Sequence, residues 1–133
     1  MLKISKQVDY ALQFLAAVSQ LKTGDCLSVN RFAQESRLSF LFLQKIVRQL
    51  KQDGLVASLH GPRGGYRLTR PLLAISLLEV IEAVEGKYGI TACTRSKGCV
   101  KDGRCAVEHK FKDLNRTITR QLEAVSVADF SSI

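Results

Sequence analysis

Three cysteines, Cys93, Cys99 and Cys105, each separated from the next by five residues, are the groups in this chain best suited to inorganic chemistry. Thiolates are soft donors that hold iron-sulfur clusters or zinc. The segment around them holds Gly98 and Gly103, whose backbone can wrap a cluster and present N–H groups to its sulfurs. It also holds Arg95, Lys97, Lys101 and Arg104, which lower thiol pKa and offset the charge of an assembled centre. Structural zinc sites more often space cysteines about two to four residues apart, which favours iron-sulfur over zinc. Reversible oxidation of the free thiols is a third use of the same residues. Three cysteines leave a four-coordinate site one ligand short; Asp9, Glu108 and His109 are the candidates to complete it, another chain or an exogenous ligand is the alternative, or the position stays open. The fourth cysteine, Cys26, stands alone and reads as a small buried hydrophobe.

A second constellation could bind nucleic acid. Between Arg37 and Arg70 the chain has seven basic residues and one acid, Asp53, so most of its net charge of +8 lies there. Lysines and arginines neutralise phosphates and release counterions, giving affinity that weakens steeply with salt. Ser39, Leu41, Phe42, Gln44, Lys45 and Arg48 sit early in a predicted helix, where side chains reach base edges or flanking phosphates, and Gln44 suits adenine. Arg63, between glycines in GPRGG, is placed to enter a minor groove or grip phosphate, with His60 beside it as a further phosphate contact. Any one of these lysines is ordinarily a solvated surface group. It is the order of helices, the hairpin and the local charge together that point to DNA.

The elements that position these groups follow from periodicity. From Ile4, the residues Val8, Ala11, Leu12, Leu15 and Val18 recur at helical spacing, giving an amphipathic helix of about five turns that Gly24 and Asp25 end. Ser28 caps a short helix with Val29, Phe32 and Ala33 inward, and Ser36-Arg37-Leu38 makes a tight turn. Ser39 caps a third helix whose buried stripe is Phe40, Leu43, Val47 and Leu50, with Asp53-Gly54 as its stop. Residues 55–59 and 66–68 form a hairpin around GPRGG. Ser76 and Glu79 make a capping box ahead of Leu77, Leu78, Ile81 and Val84, and Gly86 closes that helix. Residues 87–104 read as an irregular loop. Beyond Cys105, Val107, Phe111, Leu114, Ile118, Leu122 and Val125 form a stripe of about five turns without an obvious intramolecular partner.

Three short helices and a hairpin, in that order, make a winged helix-turn-helix. The fold class is therefore mainly α with a small β-hairpin wing. At 133 residues and 46% hydrophobic, the chain can build one compact domain and an appendage. No stretch reaches the roughly 18 to 20 apolar residues that span a bilayer, and no export signal opens the chain, so a cytoplasmic protein without a disulfide framework is expected. No phosphate-binding loop, Cys-His pair at recognisable spacing or paired acids suggest an enzyme.

SKQVDYAL at 5–12, DGLVASLHGPRGGYRL at 53–68, ISLLEVIEAVEG at 75–86, the three cysteines and VSVADF at 125–130 together resemble the IscR/NsrR-type family of iron-sulfur winged-helix transcription regulators, over nearly the whole chain. The resemblance implies a homodimer in which the long helix crosses its partner. It also implies a 4Fe-4S or 2Fe-2S cluster on Cys93, Cys99 and Cys105 whose loss or modification changes DNA affinity. The IscR branch places a histidine three residues after its third cysteine; here Glu108 stands there and His109 follows. The NsrR branch has an N-terminal aspartate, Asp9 here, that reaches the other subunit's cluster. The expected organisation is a DNA-binding domain over 1–86, a cluster loop over 87–105, and a dimerisation helix and tail over 106–133. The expected activity is regulation, more as repressor than activator, at a palindromic double-stranded operator, with nitric oxide or oxidants as candidate signals. A metal-free thiol regulator and an iron-sulfur carrier that does not bind DNA are the competing readings.

Overall fold

A computed structural model describes residues 3–62, 64–91, 94 and 107–130. Helix α1 spans Lys6–Ser19, where Ser5 caps the first turn by accepting from the Val8 N–H at 3.3 Å. It is shorter at both ends than its periodicity suggests. The Leu21 N–H reaches back only to Val18 O, at 3.2 Å, so the last turn tightens and the chain leaves the helix before Gly24. Val8, Ala11, Phe14 and Leu15 are fully buried on its inner face. α2 (Val29–Ser36) is capped by Ser28 and ends at Arg37, whose left-handed backbone (φ 60°) turns the chain into the next helix.

α3 (Phe40–Gln52) is capped by Ser39. Its core-facing residues are Leu43, Ile46, Val47 and Leu50, all at 0% exposure, whereas Phe40 is 41% exposed. The stripe is thus shifted from the sequence reading. Ile46, one turn beyond Phe42, belongs to the buried inner face, and Phe40, the first residue of the helix, does not.

The wing pairs β1 (Val56–Leu59) with β2 (Gly65–Leu68), antiparallel, in the register Val56 to Leu68 and Leu59 to Gly65. Thr69 closes its base by donating its hydroxyl to Gly54 O and Leu55 O, at 2.6 and 3.1 Å. A Cβ on Gly64 would lie 2.3 Å from Leu59 O, and one on Gly65 would lie 2.6 Å from the Leu27 carbonyl carbon, so neither position has room for a side chain. The approach at Gly65 has a cause. Leu27 and Tyr66 exchange two backbone hydrogen bonds, at 2.9 and 2.8 Å, and stitch the wing to the segment before α2.

A short 3-10 turn (Leu72–Ala74) leads to α4 (Leu77–Glu85), which begins with the expected Ser76–Glu79 capping box and ends at Gly86. Residues 86–91 carry no regular element, and α5 (Glu108–Ala124) follows. α5 packs on α4, so its apolar stripe does have an intramolecular partner over its C-terminal half. There Leu122 and Val125 join the core, while Val107, Phe111 and Leu114 are exposed. The chain then returns to the head. Leu77 N–H donates to Val125 O and Val127 N–H to Ile75 O, both at 2.8 Å, and Val127 in the final 3-10 turn (Val127–Phe130) is fully buried.

Candidate DNA-reading face and the root of the cysteine segment

The exposed face of α3 is built by the same periodicity that buries its core. Leu41, Gln44, Lys45 and Arg48 fall at i, i+3, i+4 and i+7 and share that face. Leu41, Lys45 and Arg48 are exposed and Gln44 is half-buried. Two contacts fix its pitch. Ser39 Oγ accepts from the Phe42 N–H at 3.4 Å, and the Phe42 ring stands edge-on to Tyr10 of α1, with centroids 5.7 Å apart at 89°. Of the six residues expected on this helix, Leu41, Gln44, Lys45 and Arg48 therefore point outward together. Ser39 and Phe42 position them.

Among the described residues Lys45, Arg48, Lys51 and Arg67 have no ion pair, so their charge is available to an outside anion. Arg70 is different. Its guanidinium lies 2.6 Å from Glu79 Oε1 and donates to Ala74 O at 3.0 Å, tying the exit of the wing to the N-terminus of α4. Burial pushes the Glu79 carboxyl up, but the Ser76 backbone N–H and the Arg70 guanidinium outweigh it and hold the group below its ordinary value. His60 is exposed just after β1 and beside the tight Gly61–Gly64 turn, closed by a 2.9 Å hydrogen bond; Arg63 lies outside the described residues.

Cys93, Cys99 and Cys105 also lie outside the described residues, but both ends of their segment are placed. At the entry, the Tyr88 N–H donates to Glu82 Oε2 of α4 at 3.2 Å, and the Ile90 N–H donates to Asn115 Oδ1 of α5 at 3.0 Å. At the exit, Glu108 is buried at 7% exposure, and its Oε1 lies 2.7 Å from Lys112 Nζ. Asp9 is exposed on α1 and accepts from Gln13 Nε2 at 3.3 Å, and His109 is exposed beside Asp113. No group of three or more metal-ligating side chains comes together among the described residues. Cys26 is half-buried, with a free thiol. Sequence reasoning missed the Leu27–Tyr66 stitch, the Arg70–Glu79 tie and the Glu82 and Asn115 holds. Each depends on tertiary proximity, and none leaves a periodic or spacing signal.

No helix among the described residues is long and apolar enough to cross a membrane. Residues 4–132 match the family model Rrf2, described as an iron-dependent transcriptional regulator. The HTH-type transcriptional regulator IscR of Xenorhabdus nematophila is 27% identical over 128 residues, covering 96% of this chain and 78% of the relative. IscR of Yersinia pestis matches to the same extent, 27% over 96% of this chain and 78% of its own. Among solved structures, the global cysteine regulator CymR of B. subtilis superposes with a TM-score of 0.75 at 25% identity, covering 99% of this chain and 98% of that one. T. potens IscR superposes with a TM-score of 0.66 at 22% identity, over 97% and 85% of the two chains. The relatives are transcriptional regulators rather than enzymes.

Proposed function

This chain belongs to the Rrf2 family of transcriptional regulators, and from that premise we propose that it is a homodimeric, DNA-binding repressor whose operator affinity is set by an iron-sulfur cluster held on Cys93, Cys99 and Cys105. The observation that carries the DNA half of this reading is the exposed face of α3, where Leu41, Gln44, Lys45 and Arg48 are presented together with their cations unpaired among the described residues. Two such heads related by a two-fold axis read a palindromic double-stranded operator, with α3 in the major groove and His60 and Arg63 on flanking phosphate or minor groove. Phe111 and Leu114, exposed on α5, are the residues on which the partner helix packs. The three working parts are the head over 1–86, the cysteine segment over 87–105, and the dimer helix and tail over 106–133.

The donor set suits such a centre. Three thiolates are soft ligands, and the two carboxylates considered for the fourth position differ: Glu108 is buried and paired with Lys112, whereas Asp9 is exposed on α1. The resemblance to the NsrR branch makes Asp9 of the other protomer the fourth ligand we favour, with the exposed His109 as its alternative. When bound, the cluster supplies a group that oxidants or nitric oxide can modify or remove. The chain's own residues carry the consequence. Glu82 and Asn115 hold the entry of the cysteine segment, α4 continues it, and the Arg70–Glu79 pair joins α4 to the wing, so a displaced segment is mechanically linked to the reading head.

Protein purified without air should contain iron and sulfide and absorb visible light, and Cys93→Ala should lose both. A colourless, iron-free wild-type protein whose DNA affinity changes with thiol oxidation would establish the metal-free thiol regulator instead. Iron and sulfide without operator binding would establish a carrier.

A further inference from the structure

Leu41 sits awkwardly on the face that carries it. It is 75% exposed in the first turn of α3, next to Phe40 at 41%, and its neighbours one turn on are Gln44 and Lys45. A leucine there cannot hydrogen-bond to a base edge or a phosphate. The first residues of a helix lying in the major groove are the ones that meet base edges. In that groove the thymine C5-methyl is the one apolar group that the four base pairs display. We propose that Leu41 reads a thymine methyl, so that each operator half-site has a thymine at the position facing the N-terminus of α3, and that the pair of thymines is related by the operator's two-fold symmetry. The inference rests on the DNA-reading role proposed above for α3.

The local structure fits this use. Ser39 and the Phe42–Tyr10 contact fix the first turn against α1, so Leu41 projects from an anchored backbone and has little else to settle on. The charged part of the face lies further along, at Lys45 and Arg48, where it can grip phosphate without competing for the same base pair. Leu41 sets which base is accepted. Lys45 and Arg48 set how tightly any DNA is held.

The test uses the full chain and a double-stranded operator selected from random-sequence DNA. Each thymine of that operator is replaced singly by deoxyuridine, which removes only the methyl group. Burying one methyl is worth about fourfold in affinity, so one symmetry-related pair of positions should each weaken binding about fourfold, and about fifteenfold when both are replaced. Leu41→Ala should bind the thymine and deoxyuridine operators equally, with an unchanged Tm because the side chain is exposed. Selective binding with no sensitive thymine pair, or with Leu41→Ala as sensitive as the wild type, overturns the inference and leaves the DNA-binding reading standing. Failure to select any sequence overturns the DNA-binding reading, and this inference with it.

Discussion

In the head, Phe14, Leu15, Leu43, Ile46, Val47 and Leu50 lie at 0% exposure, enclosed by α1, α3, α4 and the wing of the same chain, whereas the first half of α5 leaves Val107, Phe111 and Leu114 at 52, 37 and 49%. Both regions carry an apolar stripe, but the inner side of the first is closed within the chain, whereas the first half of α5 is left open by the described residues. Under the proposed function the open half of α5 is where a second copy packs, and the head, joined to the tail through Val125 and Val127, moves with it. On that proposal, such a division lets a signal re-aim the heads without unfolding them.

The sharpest way to break the contrast is to cut the head's core. Ile46→Ala removes a fully buried side chain between α1, α3 and α4, and should lower unfolding stability by about 2–5 kcal/mol in denaturant titration. Next is the wing. Gly64→Ala places a methyl where Leu59 O already stands, so the hairpin must open; we expect a loss of about 1–3 kcal/mol and markedly weaker operator binding by mobility shift. The exposed half of α5 should behave in the opposite way. Phe111→Asp with Leu114→Asp should leave the thermal stability of the head nearly unchanged, yet weaken self-association more than tenfold by analytical ultracentrifugation, as expected when charge enters an apolar contact.

The smallest effect concerns the tie between wing and α4. The folded-state pKa of Glu79 lies below its unfolded value, so its contribution to stability is complete above the ordinary glutamate range and is lost as pH falls from there through the lowered folded value. With both partners of the Arg70 pair more than a third exposed, the amount is modest, on the order of a few tenths of a kcal/mol. Glu79→Gln should flatten that part of the acid stability profile. An unchanged profile would remove Glu79 from the account.

Elements with periodic or capping signals could be read directly from the residues. The Ser28 and Ser39 caps, the Ser76–Glu79 box, the hairpin around GPRGG and the extent of the last helix all follow from local chemistry, because each signal lies within a few residues of the structure it specifies. Spacing alone does not decide burial at helix ends. Phe40 fits the stripe by spacing but begins the helix and stays 41% exposed, whereas Ile46 is fully buried. The lengths of Gly64 and Gly65 contacts were also invisible, since a double glycine in a turn looks ordinary until Leu27 is found against the strand. For the candidate site, the outward face of α3 was legible as an amphipathic pattern. The holds on the cysteine segment by Glu82 and Asn115 were not, since the Ile90 N–H and Asn115 are separated by 25 positions and no periodicity relates them.

On the proposal made above, the state of the cysteine centre sets operator affinity through the dimer. That link is tested most directly by measuring the operator dissociation constant of anaerobically prepared protein before and after nitric oxide or oxidant treatment, for the wild type and for Cys93→Ser. A change of about fivefold or more is expected in the wild type and none in the variant, within the usual range of coupling between sites. Equal affinity in every state of the wild-type protein would contradict it.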